Sequence, residues 1–147
     1  MYYNLNDINR EVKKLKIPKE YWRIPVEDAL KTDYTMLLSI REDAGKTTQA
    51  LLFGLVLHKL YNTTTEYLRN DKTQITRKNI ETIYKTVRQF KYIEKCYDGK
   101  YNDVAYAPTL KRFYLIKRDK EGNEIDREDE PLCVIHSTEE AEEFKSS

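Results

Sequence analysis

The sequence has few cysteines and no long apolar run, and these two scarcities exclude several classes of protein. Cys96 and Cys133 are the only cysteines among the 147 residues, and their spacing does not match a metal-binding pair. We therefore expect two reduced thiols in an intracellular protein, without a disulfide framework or a zinc site. No apolar run reaches the roughly 18–20 residues that a membrane-spanning helix needs, and Met1–Arg10 has no signal-peptide pattern.

The chain also lacks an excess of charge of either sign. It contains 26 basic and 25 acidic residues, for a net charge of +1. Hydrophobic residues make up 39% of the chain and charged ones 35%, which suits one domain with a genuine core. The balance argues against a wholly basic nucleic-acid-binding protein, although it leaves room for local basic patches.

Hydrophobic periodicity predicts alternating helices and strands over the first two thirds of the chain. The predicted elements are helices at about 7–16, 27–31, 47–61 and 76–97 and strands at 34–40 and 64–68. Residues 47–61 are apolar almost all round, which is typical of a helix that other elements cover on most sides. The succession of strand, helix, strand and helix is the opening of an α/β parallel sheet.

The last third of the chain has a different character. Arg112–Lys117 and Leu132–Ile135 are predicted strands, and the charged segment Asp119–Glu130 joins them into a hairpin with a long loop. Ser137 begins a capping-box pattern that predicts a final acidic helix running to Ser147. We therefore expect a single domain over 1–147, with an N-terminal helix and connector (1–24), a core (33–97), and a hairpin with an acidic helix (110–147).

One short motif stands between two apolar runs. Gly45-Lys46-Thr47-Thr48 lies directly after Tyr34–Ile40 and its loop and directly before Ala50–Leu60. It matches the end of the phosphate-binding pattern G-x-x-x-x-G-K-[ST], but Ile40 stands where the pattern has its first glycine. Backbone N–H groups in such a loop, together with the positive end of the next helix, form an anion cradle. The alternative is a strand-to-helix turn that happens to carry a lysine.

Each side chain of this motif has an expected role at a nucleotide. Lys46 would contact the β- and γ-phosphates, the Thr47 hydroxyl would coordinate Mg²⁺, and Thr48 would reach the α-phosphate. Two carboxylates in the preceding loop repel a triphosphate unless Mg²⁺ or Arg41 compensates for them. Either both carboxylates point to solvent, or one of them holds Arg41 over the γ-phosphate. The predicted nucleotide-binding residues are Arg41, Glu42, Asp43, Ala44, Gly45, Lys46, Thr47 and Thr48, with Arg41 and Lys46 as catalytic residues and Thr47 as the metal ligand.

The segment Ser39–Thr48, followed by an apolar helix and then Glu66-Tyr67-Leu68-Arg69, resembles the start of the DNA-packaging ATPases of tailed phages. These include the terminase large subunits, and the similarity is greatest to the DNA encapsidation ATPases of small tailed phages. Their phosphate loops often lack a full glycine pattern and carry an arginine before Gly-Lys-[ST]. That arginine usually stands four residues before the lysine, where this chain has Glu42, so Arg41 is one place earlier.

The resemblance implies an ASCE-type P-loop NTPase with a parallel-sheet core, helices on both faces of the sheet and a C-terminal β-hairpin. It also implies ATP and Mg²⁺ as cofactors and a homo-oligomeric ring, commonly a pentamer, at the portal of the phage procapsid. Such a ring moves double-stranded DNA into the procapsid in the cytoplasm of the infected bacterial host, without a membrane. Trp22, Ile24 and Pro25 would flank the adenine, although they would serve equally well as a hydrophobic plug under the first strand.

The sequence lacks one part of such an ATPase. Hydrolysis requires an apolar strand that ends in Asp-Glu, to hold Mg²⁺ and to activate the attacking water. The predicted strands are followed instead by Lys117-Arg118 and by His136-Ser137. We therefore expect an incomplete, ATP-binding front part of a longer protein. A non-enzymatic phage or bacterial interaction module and another small P-loop NTPase or kinase remain the alternatives. His58, on the apolar helix, is expected to be a core or helix-surface histidine.

Overall fold

A computed structural model describes residues 3–19, 26–31, 46–69 and 80–137. The helices are α1 (Leu5–Lys14), α2 (Val26–Lys31), α3 (Lys46–Tyr61), α4 (Lys85–Gln89) and α5 (Tyr92–Tyr97), and the strands are β1 (Thr65–Arg69), β2 (Asp103–Ala107), β3 (Arg112–Arg118), β4 (Glu124–Arg127) and β5 (Cys133–Ser137). The fold is mixed α/β. The predicted strand at 34–40 and the predicted acidic helix beyond Ser137 lie outside the described residues.

The five described strands form one open sheet of mixed direction. Four of the strands follow the order β1-β5-β3-β2, and the fifth, β4, pairs with β3 outside this order. β1 and β5 are parallel, whereas β3 is antiparallel to each of its neighbours. The prediction of a parallel sheet therefore holds only for β1 and β5. The reason is the length of the connections, because a short turn such as the one between β2 and β3 can only join antiparallel strands.

The C-terminal hairpin is confirmed, but its predicted long loop is wrong. β4 pairs with the end of β3, and farther along Glu128 N donates to Leu115 O at 2.9 Å and Leu132 N to Phe113 O at 2.8 Å. Only 129–131 bulge away from β3, and the true turn is 119–123. Periodicity missed β4 because all four of its residues are exposed, so no alternation of apolar side chains marks it.

The predicted helix over 76–97 is wrong as a single element. Its first residues lie outside the described part, and the rest is divided into α4 and α5, with Lys91 between them in the left-handed conformation (φ 56°, ψ 34°). The buried side chains here are Ile80, Tyr84, Val87, Tyr92, Ile93 and Cys96. The first three follow a helical spacing that would next bury Lys91. The next buried side chain is instead Tyr92, one residue later. The left-handed Lys91 therefore changes the direction of the chain so that the apolar side chains of α5 face the core.

The core lies between the sheet and a connected cluster of helices. α3 contacts α1, α4, α5 and β1, as its nearly uniform apolar surface predicts. Fully buried side chains from distant parts of the chain meet there, including Ile8, Leu55, Tyr84 and Leu115. Among the described residues the helices thus form one connected cluster, and the prediction of helices on both faces of the sheet stays a prediction.

Candidate nucleotide site at the start of α3

The helix α3 begins at Lys46, immediately after the glycine of the Gly-Lys-Thr motif, and is 16 residues long. The first turn of a helix has backbone N–H groups without intrahelical partners, and it carries the positive end of the helix dipole. Thr47 is exposed on this turn, Thr48 is half-buried, and Gln49 is buried. The Thr47 hydroxyl is therefore accessible at the end of the helix where an anion and its metal would bind.

Most of the predicted site residues precede this helix. Those outside the described residues are Trp22, Ile24, Pro25, Arg41, Glu42, Asp43, Ala44 and Gly45. The roles predicted for them, at the adenine and at the phosphates, therefore stay predictions. Of the predicted set, the structure describes the backbone of Lys46 and the whole of Thr47 and Thr48.

The strand β1 runs back along α3 toward the start of that helix. Thr63 O lies 2.6 Å from Nδ1 of His58. Thr65 lies beside Gly54, where an added methyl group would stand 3.3 Å from the Thr65 Cβ atom. From Thr63 to Thr65 the extended chain advances two residues, which is about 6 Å. The helix residues that these two contact, His58 and Gly54, are four residues apart, which is also about 6 Å. The chain has reversed direction through Asn62–Thr64 and now runs antiparallel to the helix axis.

By the ideal rise of each element, we expect the carboxyl end of β1 to lie near the level of the first turn of α3. Four more strand residues advance about 13 Å, and the eight helix residues back to Lys46 span about 12 Å. β5 pairs in parallel with β1, with Arg69 opposite Ser137, so the carboxyl end of β5 lies at the same level. In open α/β sheets, ligands bind outside the carboxyl ends of parallel strands and at helix N-termini.

The described strands do not end in acidic residues at this end of the sheet. β1 ends in Leu68-Arg69 and β5 in His136-Ser137, and β2, β3 and β4 do not end in Asp-Glu either. His136 lies 3.9 Å from the carboxylate of Glu66, and both side chains are largely exposed. Residues 3–19, 26–31, 46–69 and 80–137 contain no group of three or more His, Cys, Asp or Glu side chains placed to hold a metal ion.

The far half of α3 is held by polar contacts of two side chains, His58 and Lys59, that sequence spacing did not reveal. His58 is buried and contacts Glu128, a residue 70 positions away. Lys59 donates to the Glu11 carboxylate of α1 at 2.7 Å and to the Cys96 carbonyl of α5 at 2.7 Å. Burial alone would raise the pKa of Glu11, but hydrogen bonds from Lys59 and Lys14 outweigh burial and hold its pKa below the ordinary value. These contacts fix α3 against both α1 and the sheet.

Both cysteines are free, in line with the prediction of reduced thiols, and both are buried. Burial raises the pKa of the Cys96 thiol to about 12, and it does the same for Cys133. Because the thiolate is the nucleophile, neither side chain is a reactive group at neutral pH.

No described helix is both long enough and apolar enough to cross a bilayer. Comparison of the chain with protein-family models, with curated proteins and with solved structures found no match in any of the three. The resemblance to phage DNA-packaging ATPases therefore stays a prediction from the motif Ser39–Thr48 and the elements predicted after it.

Proposed function

We propose that this chain is the ATP-binding front part of a viral DNA-packaging motor ATPase. One observation supports the proposal most directly: Lys46 is the first residue of a long, largely buried helix, and β1, which pairs in parallel with β5, runs back along that helix. A Gly-Lys-Thr sequence in a surface turn would have neither feature. A helix N-terminus beside parallel strand ends is the environment in which proteins bind nucleotide phosphates.

In this proposal the side chains of the motif divide the work at the triphosphate. Lys46 neutralises charge on the β- and γ-phosphates, and the first-turn N–H groups of α3 donate hydrogen bonds to phosphate oxygens. Thr47 ligates Mg²⁺, whose positive charge offsets the negative charge of the phosphates. Arg41 would lie near the γ-phosphate. Either Glu42 or Asp43 would hold it there, or both carboxylates would point to solvent. Trp22, Ile24 and Pro25 flank the adenine.

The proposed activity of these residues is binding, with hydrolysis completed by an Asp-Glu strand that the described residues do not contain. By resemblance, the chain works within a homo-oligomeric ring at the phage portal and translocates double-stranded DNA into the procapsid. The buried contacts of α3 with α1 and the sheet suit such a role, because a rigid helix transmits displacement from a nucleotide to the rest of the domain.

The proposal is tested by isothermal titration calorimetry of Mg·ATP binding to the whole chain. We expect Lys46→Ala to weaken binding at least about tenfold, since loss of charged hydrogen bonds costs about 1.5–3 kcal/mol. Thr47→Val is expected to remove the tightening that Mg²⁺ confers, because the valine offers no ligand oxygen. Lys120→Ala is the matched control, since it removes the same charge from the exposed hairpin turn.

Two outcomes would contradict the proposal. Equal binding by wild type and Lys46→Ala would exclude the motif as the nucleotide site. Absence of Mg·ATP binding by the folded wild-type chain would favour a non-enzymatic interaction module, for which the exposed strand β4 and its Ile125 (61% exposed) offer a contact surface. Binding that neither DNA nor procapsids affect would favour another small P-loop NTPase.

A further inference from the structure

The strand β3 contributes side chains to both faces of the sheet. Phe113 and Leu115 are buried in the core that the helices share with the sheet. Because side chains alternate along a strand, the residues beside these two lie on the opposite face. They are Arg112, Tyr114, Ile116 and Arg118. Tyr114 and Ile116 are buried as well, but they are not part of that shared core. We call this side of the sheet the arginine face.

The strand β4 adds a further arginine to this face. Arg127 pairs with Ile116 of β3, and its guanidinium carbon lies 5.4 Å from the centre of the Tyr114 ring. Glu124 accepts hydrogen bonds from Arg127 Nε at 3.0 Å and from Nη2 at 2.7 Å. These bonds use only part of the guanidinium N–H groups, and 40% of the side chain is exposed. Arg127 is therefore held in a fixed orientation with donors still available to a ligand.

Two more arginines meet at one carboxylate on β2. Asp103 lies opposite Ile116 of β3, and its side chain is only 11% exposed. Arg118 Nε donates to it at 2.7 Å, and Arg88 of α4 donates to it through Nε at 2.7 Å and through Nη2 at 3.2 Å. The side chains of Arg88 and Arg118 are 49% and 36% exposed. Because two guanidinium groups share a single carboxylate, one positive charge is left unbalanced here.

Two carboxylates of the neighbouring hairpin lie on the helix side of the sheet instead. Asp126 is opposite Lys117, which alternates with Arg118 and therefore lies on the same side of β3 as the core. Glu128 contacts His58 of α3. The negative charge of these two residues is thus directed away from the arginine face.

The arginine face consequently carries an excess of positive charge. Its arginines, counting the one that reaches it from α4, are Arg88, Arg112, Arg118 and Arg127. Two carboxylates, those of Asp103 and Glu124, bind three of these four guanidinium groups. Four positive charges against two negative ones leave two positive charges. Glu66 of β1 is on the same face, but it lies beyond β5 and beside His136, at 3.9 Å.

We propose that the arginine face binds the phosphate backbone of double-stranded DNA, an inference that rests on the proposed function because it assigns the DNA of that function to a surface. Guanidinium groups bind phosphate through paired N–H donors. Arg112 and Arg118 are six residues apart on β3, or about 20 Å, so one small anion cannot contact both. Duplex DNA carries a negative charge about every 1.7 Å along its axis and matches such a spread of cations. Contacts to phosphates alone do not depend on sequence, which suits translocation.

The inference is tested by the binding of fluorescein-labelled duplex DNA to the whole chain, without nucleotide. Fluorescence anisotropy gives the association constant from about 50 mM to about 200 mM salt, and its logarithm should fall linearly with the logarithm of the salt concentration. Arg112→Gln is the first variant, because Arg112 is exposed and makes no ion pair within the described part of the chain. We expect it to weaken binding about tenfold at low salt and to reduce the salt slope by about 1, whatever the DNA sequence.

Further variants separate a phosphate contact from a structural role. Arg118→Gln removes the charge and should also reduce the salt slope by about 1, whereas Arg118→Lys keeps the charge and should retain the slope of wild type. Arg10→Gln is the matched control on α1. Arg10 is 66% exposed and pairs with Asp7 three residues away, just as Arg127 pairs with Glu124. This control should bind DNA like wild type, and circular dichroism checks that each variant is folded.

Two results would overturn the inference. If Arg112→Gln keeps the salt slope of wild type, or loses no more affinity than Arg10→Gln, the arginine face does not contact the phosphates. If poly-glutamate displaces the DNA at an equal concentration of charge, the face fits an acidic protein instead.

Calorimetry of Mg·ATP binding with the same variants keeps this inference distinct from the proposed function. We expect Arg112→Gln to bind Mg·ATP like wild type. Mg·ATP binding by a wild-type chain that does not bind DNA would overturn the inference about the arginine face and leave the nucleotide site intact. DNA binding that depends on Arg112, in a chain that does not bind Mg·ATP, would support the arginine face and contradict the nucleotide site.

Discussion

At the scale of single residues, similar side chains have different surroundings in this protein. The buried hydroxyl of Tyr97 has no hydrogen-bond partner in the described part of the chain, and burial raises the pKa of Tyr97 well above the ordinary value. The hydroxyl of Tyr61, in contrast, accepts a hydrogen bond from the backbone N–H of Asn4 at 2.7 Å. The sequence shows twelve tyrosines but does not distinguish these two cases.

We expect Tyr97→Phe to stabilise the protein by about 1 kcal/mol, because it removes a buried hydroxyl that has no partner and keeps the ring. The ring remains packed edge-on against Tyr101, with centroids 5.6 Å apart. Urea unfolding followed by circular dichroism measures the change. Tyr61→Phe is the control, and it should lower the free energy of unfolding by about 1 kcal/mol, because Asn4 loses its acceptor. A loss of stability in Tyr97→Phe would show that its hydroxyl has a favourable partner.

Residue types with a simple chemical preference were predicted well from the sequence. The two cysteines are free, as expected of reduced thiols. The amphipathic spacing of the first helix predicts an apolar face that includes Ile8 and Leu15, and both side chains are buried. Residues whose role depends on a distant partner were not found. Nothing near Glu128 in the sequence indicates His58, because the contact joins positions 70 apart.

At the scale of elements, periodicity identified α1, α2, α3, β1, β3 and β5 to within a few residues. It failed where the solvent surrounds an element or where an element changes alignment. β4 is exposed throughout, so it has no apolar face for a pattern to reveal. β2 was not predicted, although its first residue, Asp103, receives hydrogen bonds from Arg88 and Arg118 that fix it in the structure.

The close packing of α3 on β1 leads to a prediction about Gly54. Glycine weakens a helix interior by about 0.5–1 kcal/mol relative to alanine, so Gly54→Ala would stabilise an isolated helix. Here the new methyl group would overlap the Thr65 hydroxyl. We therefore expect Gly54→Ala to destabilise the protein by about 1–3 kcal/mol, the usual cost of overpacking. Thermal and urea unfolding measure the change.

A double-mutant cycle tests the stated cause of this loss. Thr65→Ala removes the overlapping oxygen, so Gly54→Ala should cost less stability in that background than in wild type. Equal costs in both backgrounds would show that the two side chains are not in contact. If Gly54→Ala causes no loss of stability, α3 and β1 are farther apart than the structure has them.

At the scale of the whole molecule, a few ion pairs join elements that are distant in sequence. Lys59 of α3 reaches both Glu11 of α1 and the carbonyl of Cys96 in α5. Lys14 adds a second contact to the Glu11 carboxylate at 3.2 Å. The side chain of Glu11 is only 9% exposed, so removing one partner from this group leaves buried charge behind.

Stability should therefore fall in acid through Glu11. Its folded-state pKa is lowered, so the unfolded chain binds protons more readily, and stability rises with pH. This contribution is complete above the ordinary glutamate pKa near 4.3 and disappears as the pH falls through the lower folded-state value. We expect Glu11→Gln to be less stable than wild type by about 1–3 kcal/mol at neutral pH and to converge with it in acid. Urea unfolding at a series of pH values measures this.

Glu124→Gln is the matched control for that experiment. Its ion pair with Arg127 lies in the exposed hairpin, and such pairs contribute about 0–1 kcal/mol. Its pH profile should therefore follow that of wild type. A constant difference between Glu11→Gln and wild type from neutral pH into acid would contradict the assigned role of the carboxylate.

The amino-acid sequence by itself determined the α/β class, the existence of most elements and the position of Gly-Lys-Thr at the start of a buried helix. These features are local, since they depend on spacing along one segment and on the preferences of its residues. Only the tertiary structure decided the mixed direction of the sheet, the separation of α4 from α5, the partner of His58 and the parallel pairing of β1 with β5. These depend on contacts between segments far apart in the chain, and packing against the common core selects them.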